Sequence, residues 1–234
     1  IAMKCHFLKH NVYVLSLLTL ITLLCYGNVI TGPFLFDDQL NIELNTHIRS
    51  FSSFFDIFSS SSVAGSYIEG SNFFRPIKTF IYTLLFHFFE LNPIPYHLTS
   101  IGIHILNAFF IILLLKQLSI HHLPAFFMGL LFCVHPVHIE AVSYISGIAD
   151  PLGLFFILLG LRYFIKTIST PHWKATLLSF IYFILALLSK ENMIVFFLLT
   201  ISVGLYLYPN HKNSRSLIVS LCSGYTLIGV SYLI

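Results

Sequence analysis

The composition of this 234-residue chain decides its broad class. Hydrophobic residues make up 57% of it, charged residues only 9%, and the mean hydropathy is +0.88. Because soluble domains carry about 25% charged residues, these values exclude a soluble enzyme and a disordered tail. The net charge of +3 is too small to indicate nucleic-acid binding. We therefore predict an all-α, polytopic membrane protein.

Seven apolar runs are long enough to be membrane-spanning helices. Lipid offers no hydrogen-bond partner to an exposed backbone, so such runs are expected to be helical. The first run follows two lysines and could be a cleaved signal peptide, but no small-residue cleavage site follows it, which favours a retained anchor. The predicted spans are residues 12–30, 96–115, 123–142, 151–165, 173–188, 193–208 and 216–234.

One further apolar run, Pro76–Phe89, is too short for a span. Its roughly fourteen residues favour an interfacial or re-entrant helix, since a span needs about 20. It lies in a long first outer loop, about residues 32–95. The chain begins with Ile1 and stops inside an apolar run. We therefore expect residues 1–234 to be one polytopic domain of a longer protein whose C-terminal domain is missing here.

Charge placement predicts the topology. If the N-terminus is cytoplasmic and the short run does not span, the cytoplasmic segments hold eight of the twelve Lys and Arg residues and none of the nine acids. This agrees with the positive-inside rule, whereas a spanning short run would turn two basic loops outward. The cytoplasmic bases are Lys4, Lys9, Lys116, Arg162, Lys166, Lys174, Lys212 and Arg215. The outer acids are Asp37, Asp38, Glu43, Asp56, Glu69, Glu90, Glu140, Asp150 and Glu191.

The predicted outer face also collects the residues that could carry chemistry. Each has an ordinary structural interpretation: paired carboxylates can be a solvated loop, and a histidine in a span is more often an interhelical hydrogen-bonding residue. Together, ionisable residues at membrane depth on one side indicate a function. The candidates are Asp37, Asp38, Arg75, Lys78, His97, His104, His135, His138, Glu140, Asp150, Lys190 and Glu191.

Carboxylates beside bases at a membrane surface suit glycosyl transfer from a polyprenyl-phosphate sugar to a hydroxyl. A carboxylate takes the proton of the attacking hydroxyl, and another stabilises the oxocarbenium-like sugar. The leaving phosphate needs positive charge, for which Arg75, Lys78 and Lys190 are available. Arginine is the best suited of these to a bidentate phosphate contact.

Five strings occur in an order and spacing that resemble a known family. They are FLFDD, RPI, HLTSIGIHILNA, HPVHIEAVSYISGIAD and LLSKEN. They look like the transmembrane half of the transmembrane-and-tetratricopeptide-repeat (TMTC-like) O-mannosyltransferases, within the broader GT-C membrane glycosyltransferases. The resemblance covers about residues 20–200, and the pairing of HPVHIEAV with SKE is its specific part.

The resemblance implies a GT-C-like core of seven spans with its active site on the non-cytoplasmic face. It implies a dolichyl- or polyprenyl-phosphate sugar donor, most often mannose, and a protein Ser/Thr or glycan acceptor. Asp37 or Asp38 would be the base, Arg75 would contact the donor phosphate, and Asp150 would orient substrate or a divalent metal. The membrane would be the endoplasmic reticulum in a eukaryote and the cytoplasmic membrane in a prokaryote. The family often has an arginine where Ile148 stands, so one sugar or phosphate contact is absent.

Two other function classes stay open. Twelve histidines, among them His87, His97, His104, His135 and His138 in the outer half, could form a metal or haem site, although the HExxH spacing of zinc proteases is absent. A transporter or a non-catalytic membrane scaffold is the other alternative, but the paired broken helices of many transporters are not evident.

Overall fold

The structure, a computed structural model, describes residues 2–50, 54–59, 61–62, 65–66, 73–210 and 214–232. Within these ranges the chain is all-helical and has no β-strand, as predicted. The predicted outer acid Glu69 and the predicted cytoplasmic base Lys212 lie outside them, as do the side chains of Lys4 and Lys9. The α-helices are α1 (Ala2–Tyr26), α2 (Phe54–Ile57), α3 (Pro76–Phe89), α4 (Pro93–Gln117), α5 (His122–Val134), α6 (Ile139–Ser143), α7 (Ala149–Ser169), α8 (Trp173–Leu187), α9 (Phe196–Leu207) and α10 (Arg215–Tyr232).

Each of the seven predicted spans contains helix, but fewer helices meet the length of a span. In the described part of the chain, three are long and apolar enough to cross a membrane: Asn11–Val29, Pro93–Gln117 and Ile145–Ser169. A fourth is possible if a bent pair counts as one span. Helices α8 and α9 are apolar but shorter. The count of seven spans therefore stays a prediction.

The predicted span over residues 123–142 is a bent pair rather than one continuous helix. Helix α5 ends at Val134, and the segment Pro136–Ser143 leaves it at an angle of 48°. Proline has no backbone N–H to continue the helical ladder and disfavours helical geometry in the residue before it. His135 accordingly has an extended backbone (φ −69°, ψ 126°), and its Nδ1 accepts a hydrogen bond from the Val137 N–H at 3.2 Å.

Helix α3 occupies the predicted range of the short apolar run. Pro76 is its first residue, where a missing N–H costs nothing, and Glu90 ends it with a positive φ of 51°. One face of α3 is buried and carries Lys78, Thr79 and Tyr82. The helix has 14 residues and is not among the candidate spans; its predicted interfacial location stays a prediction.

The chain forms two compact units, Ile1–Leu152 and Gly153–Ile234. In the first, α1, α4 and α5 pack around a core that includes Leu18, Ile105 and Ala108. Gly129 of α5 faces α4 so closely that an added Cβ would lie 3.0 Å from a backbone carbonyl of α4. That close approach needs a residue without a side chain. The expectation of a single membrane domain stays untested.

The second unit has an aromatic core centred on Tyr225 of α10. Its ring stacks on Phe180 at 4.3 Å between centroids and meets Phe196 edge-on. Its buried hydroxyl donates to Ser179 Oγ at 2.6 Å, and Ser179 in turn donates to the Gly160 carbonyl at 2.7 Å. Both buried hydroxyls therefore have a partner, as burial requires.

Candidate active site

An open cavity of about 700 Å³ lies in the first unit, where α1 ends and α4 begins. Its other wall comes from the segment after the α5–α6 bend. The bend therefore positions this wall, because a straight helix would carry the same residues away at 1.5 Å per residue. The polar and charged residues that line the cavity include Asn28, Asp37, Asp38, His97, Glu140, Ser143 and Tyr144.

The two adjacent aspartates have different environments. Asp38 is only 1% exposed, and its Oδ1 accepts hydrogen bonds from the backbone N–H and the Oγ of Ser146 at 2.8 and 2.6 Å. Its Oδ2 accepts from the Leu35 N–H at 3.0 Å. Asp37 is exposed at the cavity, and its backbone N–H donates to the Tyr144 hydroxyl at 2.7 Å. Asp38 thus anchors the loop, whereas Asp37 is exposed and lines the cavity.

The turn before this pair has an unusual backbone conformation. Phe36 has a positive φ of 47°, a conformation that is uncommon for a residue with a Cβ. Its side chain is 82% exposed, so packing does not hold it there. The hydrogen bonds that join Asp38 to Leu35 and to Ser146 supply the constraint. Backbone strain of this kind persists only where surrounding structure imposes it.

A buried polar network joins Asp38 to a lysine of α3. Lys78 is 2% exposed, and its Nζ donates to Asn41 Oδ1 at 2.8 Å. Asn41 Nδ2 donates to the Asp37 carbonyl at 2.8 Å and to Ser146 Oγ at 3.3 Å. A buried cation and a buried carboxylate are therefore linked through two neutral side chains. This linkage offsets the cost of burying each charge.

Tyr82 and Tyr144 add two further hydrogen bonds beside this network. Tyr82 of α3 donates its hydroxyl hydrogen to the Ile145 carbonyl at 2.8 Å. Burial raises the pKa of Tyr82 well above 10, and the nearby Asp38 carboxylate raises that pKa further. Burial also raises the pKa of Tyr144. Both hydroxyls therefore keep their protons at neutral pH and hold the loop by hydrogen bonds.

His97 lines the cavity, and one of its two ring nitrogens makes a hydrogen bond. Its Nε2 lies 3.3 Å from the Gly32 carbonyl, and because a carbonyl only accepts, Nε2 carries the hydrogen. The side chain is 4% exposed, and within the described part of the chain its buried Nδ1 has no hydrogen-bond partner.

Three other histidines form an aromatic cluster rather than a ligand set. The His104 ring stacks on Phe132 at 4.8 Å and lies 5.3 Å from the His138 ring, and His138 lies 6.1 Å from His135. His104 Nε2 contacts the Cys133 carbonyl at 3.3 Å. The described ranges contain no group of three or more His, Cys, Asp or Glu residues that could hold a metal ion. These residues do not fit a metal centre, and the predicted divalent metal stays untested.

The sequence is similar to a set of curated transferases. It is 31% identical over 209 residues to protein O-mannosyl-transferase F38B6.6 of Caenorhabditis elegans. That alignment covers 86% of this chain and 29% of the worm protein. It is 33% identical over 152 residues to protein O-mannosyl-transferase tmtc2 of Xenopus laevis, covering 63% of this chain and 18% of that protein. The chain belongs to the TMTC-like O-mannosyltransferase family.

Human protein O-mannosyl-transferase TMTC2 is a further relative, 31% identical over 159 residues, covering 64% of this chain and 18% of that protein. The chain thus spans less than a third of the length of these TMTC-like relatives. No protein-family model and no solved structure matches it.

The remaining predicted site residues of this TMTC-like chain are not among those that line the cavity. The Arg75 guanidinium lies 4.6 Å above the Phe73 ring, at the start of α3. Asp150 lies in the first turn of α7. Lys190 and Glu191 belong to the second unit, between α8 and α9. Their roles stay predictions.

Sequence reasoning did not single out Asn41, Tyr144 or Ser146. Tyr144 and Ser146 lie inside the string HPVHIEAVSYISGIAD, which carries the resemblance, but uncharged residues in an apolar context gave no chemical signal of their own. Asn41 had one usable signal, because it follows Asp37 by four residues and so lies on the same face of a helical turn.

Proposed function

We propose that this chain is the membrane part of a glycosyltransferase that moves mannose from a dolichyl- or polyprenyl-phosphate donor to a protein hydroxyl. Membership of the TMTC-like family supports the transferase class. The observation that carries the proposal is the exposed Asp37 carboxylate at an open cavity, beside an aspartate anchored by three hydrogen bonds. A base must be accessible and held in place, and Asp37 meets both requirements.

In the proposed reaction, Asp37 accepts the proton of the attacking hydroxyl as its oxygen bonds to the anomeric carbon of mannose. The bond from that carbon to the donor phosphate oxygen breaks, and its electron pair leaves with the phosphate. A carboxylate near the sugar stabilises the positive charge that develops on the ring; Glu140, also at the cavity, is available for this. No metal is needed to balance the step.

The buried network keeps the base in position. Asp38 is assigned this positioning role because its oxygens are engaged with Ser146 and Leu35. Lys78 was predicted to contact the donor phosphate. Because it is buried and donates to Asn41, we assign it instead the role of offsetting the negative charge of Asp38. Arg75 and Lys190 therefore remain our candidates for the phosphate, and Asp150 for the second acid.

We place the cavity on the lumenal or external side of the membrane. Support comes from the segregation of acids and bases in the sequence. The membrane is that of the endoplasmic reticulum in a eukaryote and the cytoplasmic membrane in a prokaryote.

Mannose transfer by the full-length protein with Asp37→Asn tests the proposal. Asn keeps the size of the side chain but cannot take a proton, so turnover should fall roughly 10²–10⁴-fold. Folded yield should be unchanged, because Asp37 is exposed. Asp56→Asn, an exposed acid in the same outer loop that does not line the cavity, is the matched control. Near-normal turnover of Asp37→Asn would show that Asp37 is not the base.

A further inference from the structure

A second cavity, of about 430 Å³, lies within the second unit between the end of α7 and the start of α8. A cavity of this size can hold a small ligand or head group. In the described part of the chain neither Asp nor Glu lines it, whereas two lysines do, so the cavity is basic. Its polar and charged lining residues are Tyr163, Lys166, Thr170, His172 and Lys174.

The positive charge of this cavity is accessible and has little negative charge near it. Lys166 and Lys174 are both exposed, so a ligand can reach their ammonium groups. The sequence of the second unit contains one acid, Glu191, and it follows the far end of α8. The 15 residues of α8 place about 22 Å of helix between that acid and the cavity. The cavity therefore attracts an anion.

The contacts around the cavity show which hydrogen-bond donors are available. The Lys166 Nζ lies 5.8 Å from the centre of the Tyr163 ring, which also lines the cavity. His172 Nδ1 accepts a hydrogen bond from the Lys174 N–H at 3.2 Å, so in the neutral ring the hydrogen is on Nε2, which can donate. The Thr170 hydroxyl already donates to the Lys166 carbonyl at 3.1 Å. Two ammonium groups and one ring N–H are thus the donors for a ligand.

The neighbourhood of the cavity has the features of a membrane surface. Trp173 is 67% exposed and Leu177 is 50% exposed, and tryptophan is enriched where a membrane meets water. Ser214 donates its hydroxyl hydrogen to the Ile168 carbonyl at 3.1 Å, which joins the loop before α10 to the end of α7. The two basic loops that we predict to be cytoplasmic therefore meet at one end of this unit.

We propose that this cavity binds the phosphate group of an anionic lipid in the cytoplasmic leaflet, with preference for a phosphomonoester head group. A phosphomonoester carries about two negative charges at neutral pH and three free oxygens, which match two ammonium groups and one ring N–H. The cytoplasmic leaflet supplies anionic lipids, and basic pockets between helices on that side bind their head groups. This inference goes beyond the proposed function and does not depend on it, since no bond is made or broken at the cavity.

Titration of the full-length protein in neutral detergent with dioctanoyl phosphatidic acid tests the proposal. The rise in unfolding temperature gives an apparent Kd. Lys166→Gln and Lys174→Gln should each raise that Kd about tenfold, the loss expected for one hydrogen bond to a charged group. Because both lysines are exposed, the two variants should unfold at the wild-type temperature without lipid. Dioctanoyl phosphatidylglycerol, a phosphodiester, should bind the wild type more weakly.

Lys116→Gln is the control for general attraction between an anionic lipid and a basic face. It removes the same charge from another predicted cytoplasmic position that does not line the cavity, so the apparent Kd should stay at the wild-type value. An equal rise of the Kd in Lys116→Gln overturns the cavity as the site. Unchanged Kd values in both Lys166→Gln and Lys174→Gln, or a wild type that phosphatidic acid does not stabilise, also overturn it. A diester that binds as tightly as the monoester overturns the preferred head group.

Two substitutions of His172 separate ligand binding from helix capping. Asn and Asp both provide a side-chain oxygen that can replace Nδ1 as the cap of α8, and Asp is also favoured at a helix N-terminus by its charge. His172→Asp should therefore fold as stably as His172→Asn but bind phosphatidic acid more weakly, because its carboxylate repels the phosphate. Equal Kd values for the two variants overturn a phosphate position beside His172.

Glycerol 3-phosphate distinguishes a lipid from a soluble source of the same phosphate group. It presents the same phosphomonoester but has no acyl chains to lie beside the exposed Trp173 and Leu177. At the concentration at which dioctanoyl phosphatidic acid gives half of its full effect, glycerol 3-phosphate should leave the unfolding temperature unchanged. An equal rise with glycerol 3-phosphate overturns the lipid as the ligand.

Discussion

Replacing Lys78 by methionine tests whether the buried network holds the candidate base in place. Methionine fills a similar volume but cannot donate to Asn41 Oδ1, which Lys78 reaches at 2.8 Å. The loss combines one charge-assisted hydrogen bond, worth about 1.5–3 kcal/mol, with an acceptor that stays buried and unpaired. Breaking a direct buried ion pair costs about 3–5 kcal/mol. Here the charges are joined through two neutral side chains, so we expect about 2–3 kcal/mol.

Unfolding of the full-length protein in detergent, followed by heat or denaturant, measures this cost. The exposed lysine Lys174, changed to methionine, is the matched control and should lower the free energy of unfolding by less than about 0.5 kcal/mol. A double-mutant cycle with Asp38→Asn then measures how strongly the two buried charges are coupled. Removing Lys78 should cost less once Asp38 is neutral. A Lys78→Met protein as stable as the control, or a coupling energy near zero, would refute the network as described.

Three further predictions concern packing, positioning and topology. Gly129→Ala should lower the unfolding temperature, because the added methyl would lie 2.6 Å from an isoleucine side-chain carbon of α4. Gly102→Ala should not, because its new Cβ would face open space. Tyr144→Phe removes the acceptor of the Asp37 N–H and should reduce mannose transfer about fivefold, since one hydrogen bond is worth about 1 kcal/mol; transfer at the wild-type rate would contradict a positioning role. A cysteine replacing Asp150 should react with an impermeant reagent from the lumenal side only, and cytoplasmic labelling would reverse the predicted topology.

The helices of this protein could be predicted from the hydropathy of the sequence. The bend after α5 could not. Apolar runs identify buried or lipid-facing segments, and the range of α3 was predicted as observed. The run over residues 123–142 is apolar enough overall to be taken as one span, although it contains two histidines and Glu140. Its break follows from the backbone at His135 and Pro136 and not from hydropathy. Whether α8 and α9 cross the membrane depends on tilt and surroundings, which their length does not determine.

The carboxylate pair could be predicted as a candidate site, but not the difference between its members. Adjacent residues on a helical turn point about 100° apart, yet nothing in the sequence indicated that Asp38 would be buried and Asp37 exposed. That difference arises from contacts with Ser146, which is 108 residues away in the chain. Lys78 was predicted to be an outer cation. Its burial against Asn41, 37 residues away in the chain, arises only in the folded structure and could not be predicted from the sequence either.

The bend after α5 also fixes how long the next segment of the chain can be. From Pro136 to Ser146 the chain is tied at its far end by Tyr144, which binds the Asp37 N–H, and by Ser146, which binds Asp38. One residue inserted or deleted in its helical part would rotate Tyr144 and Ser146 by about 100° about the helix axis and break both attachments. Among active relatives, this segment should therefore keep a constant number of residues.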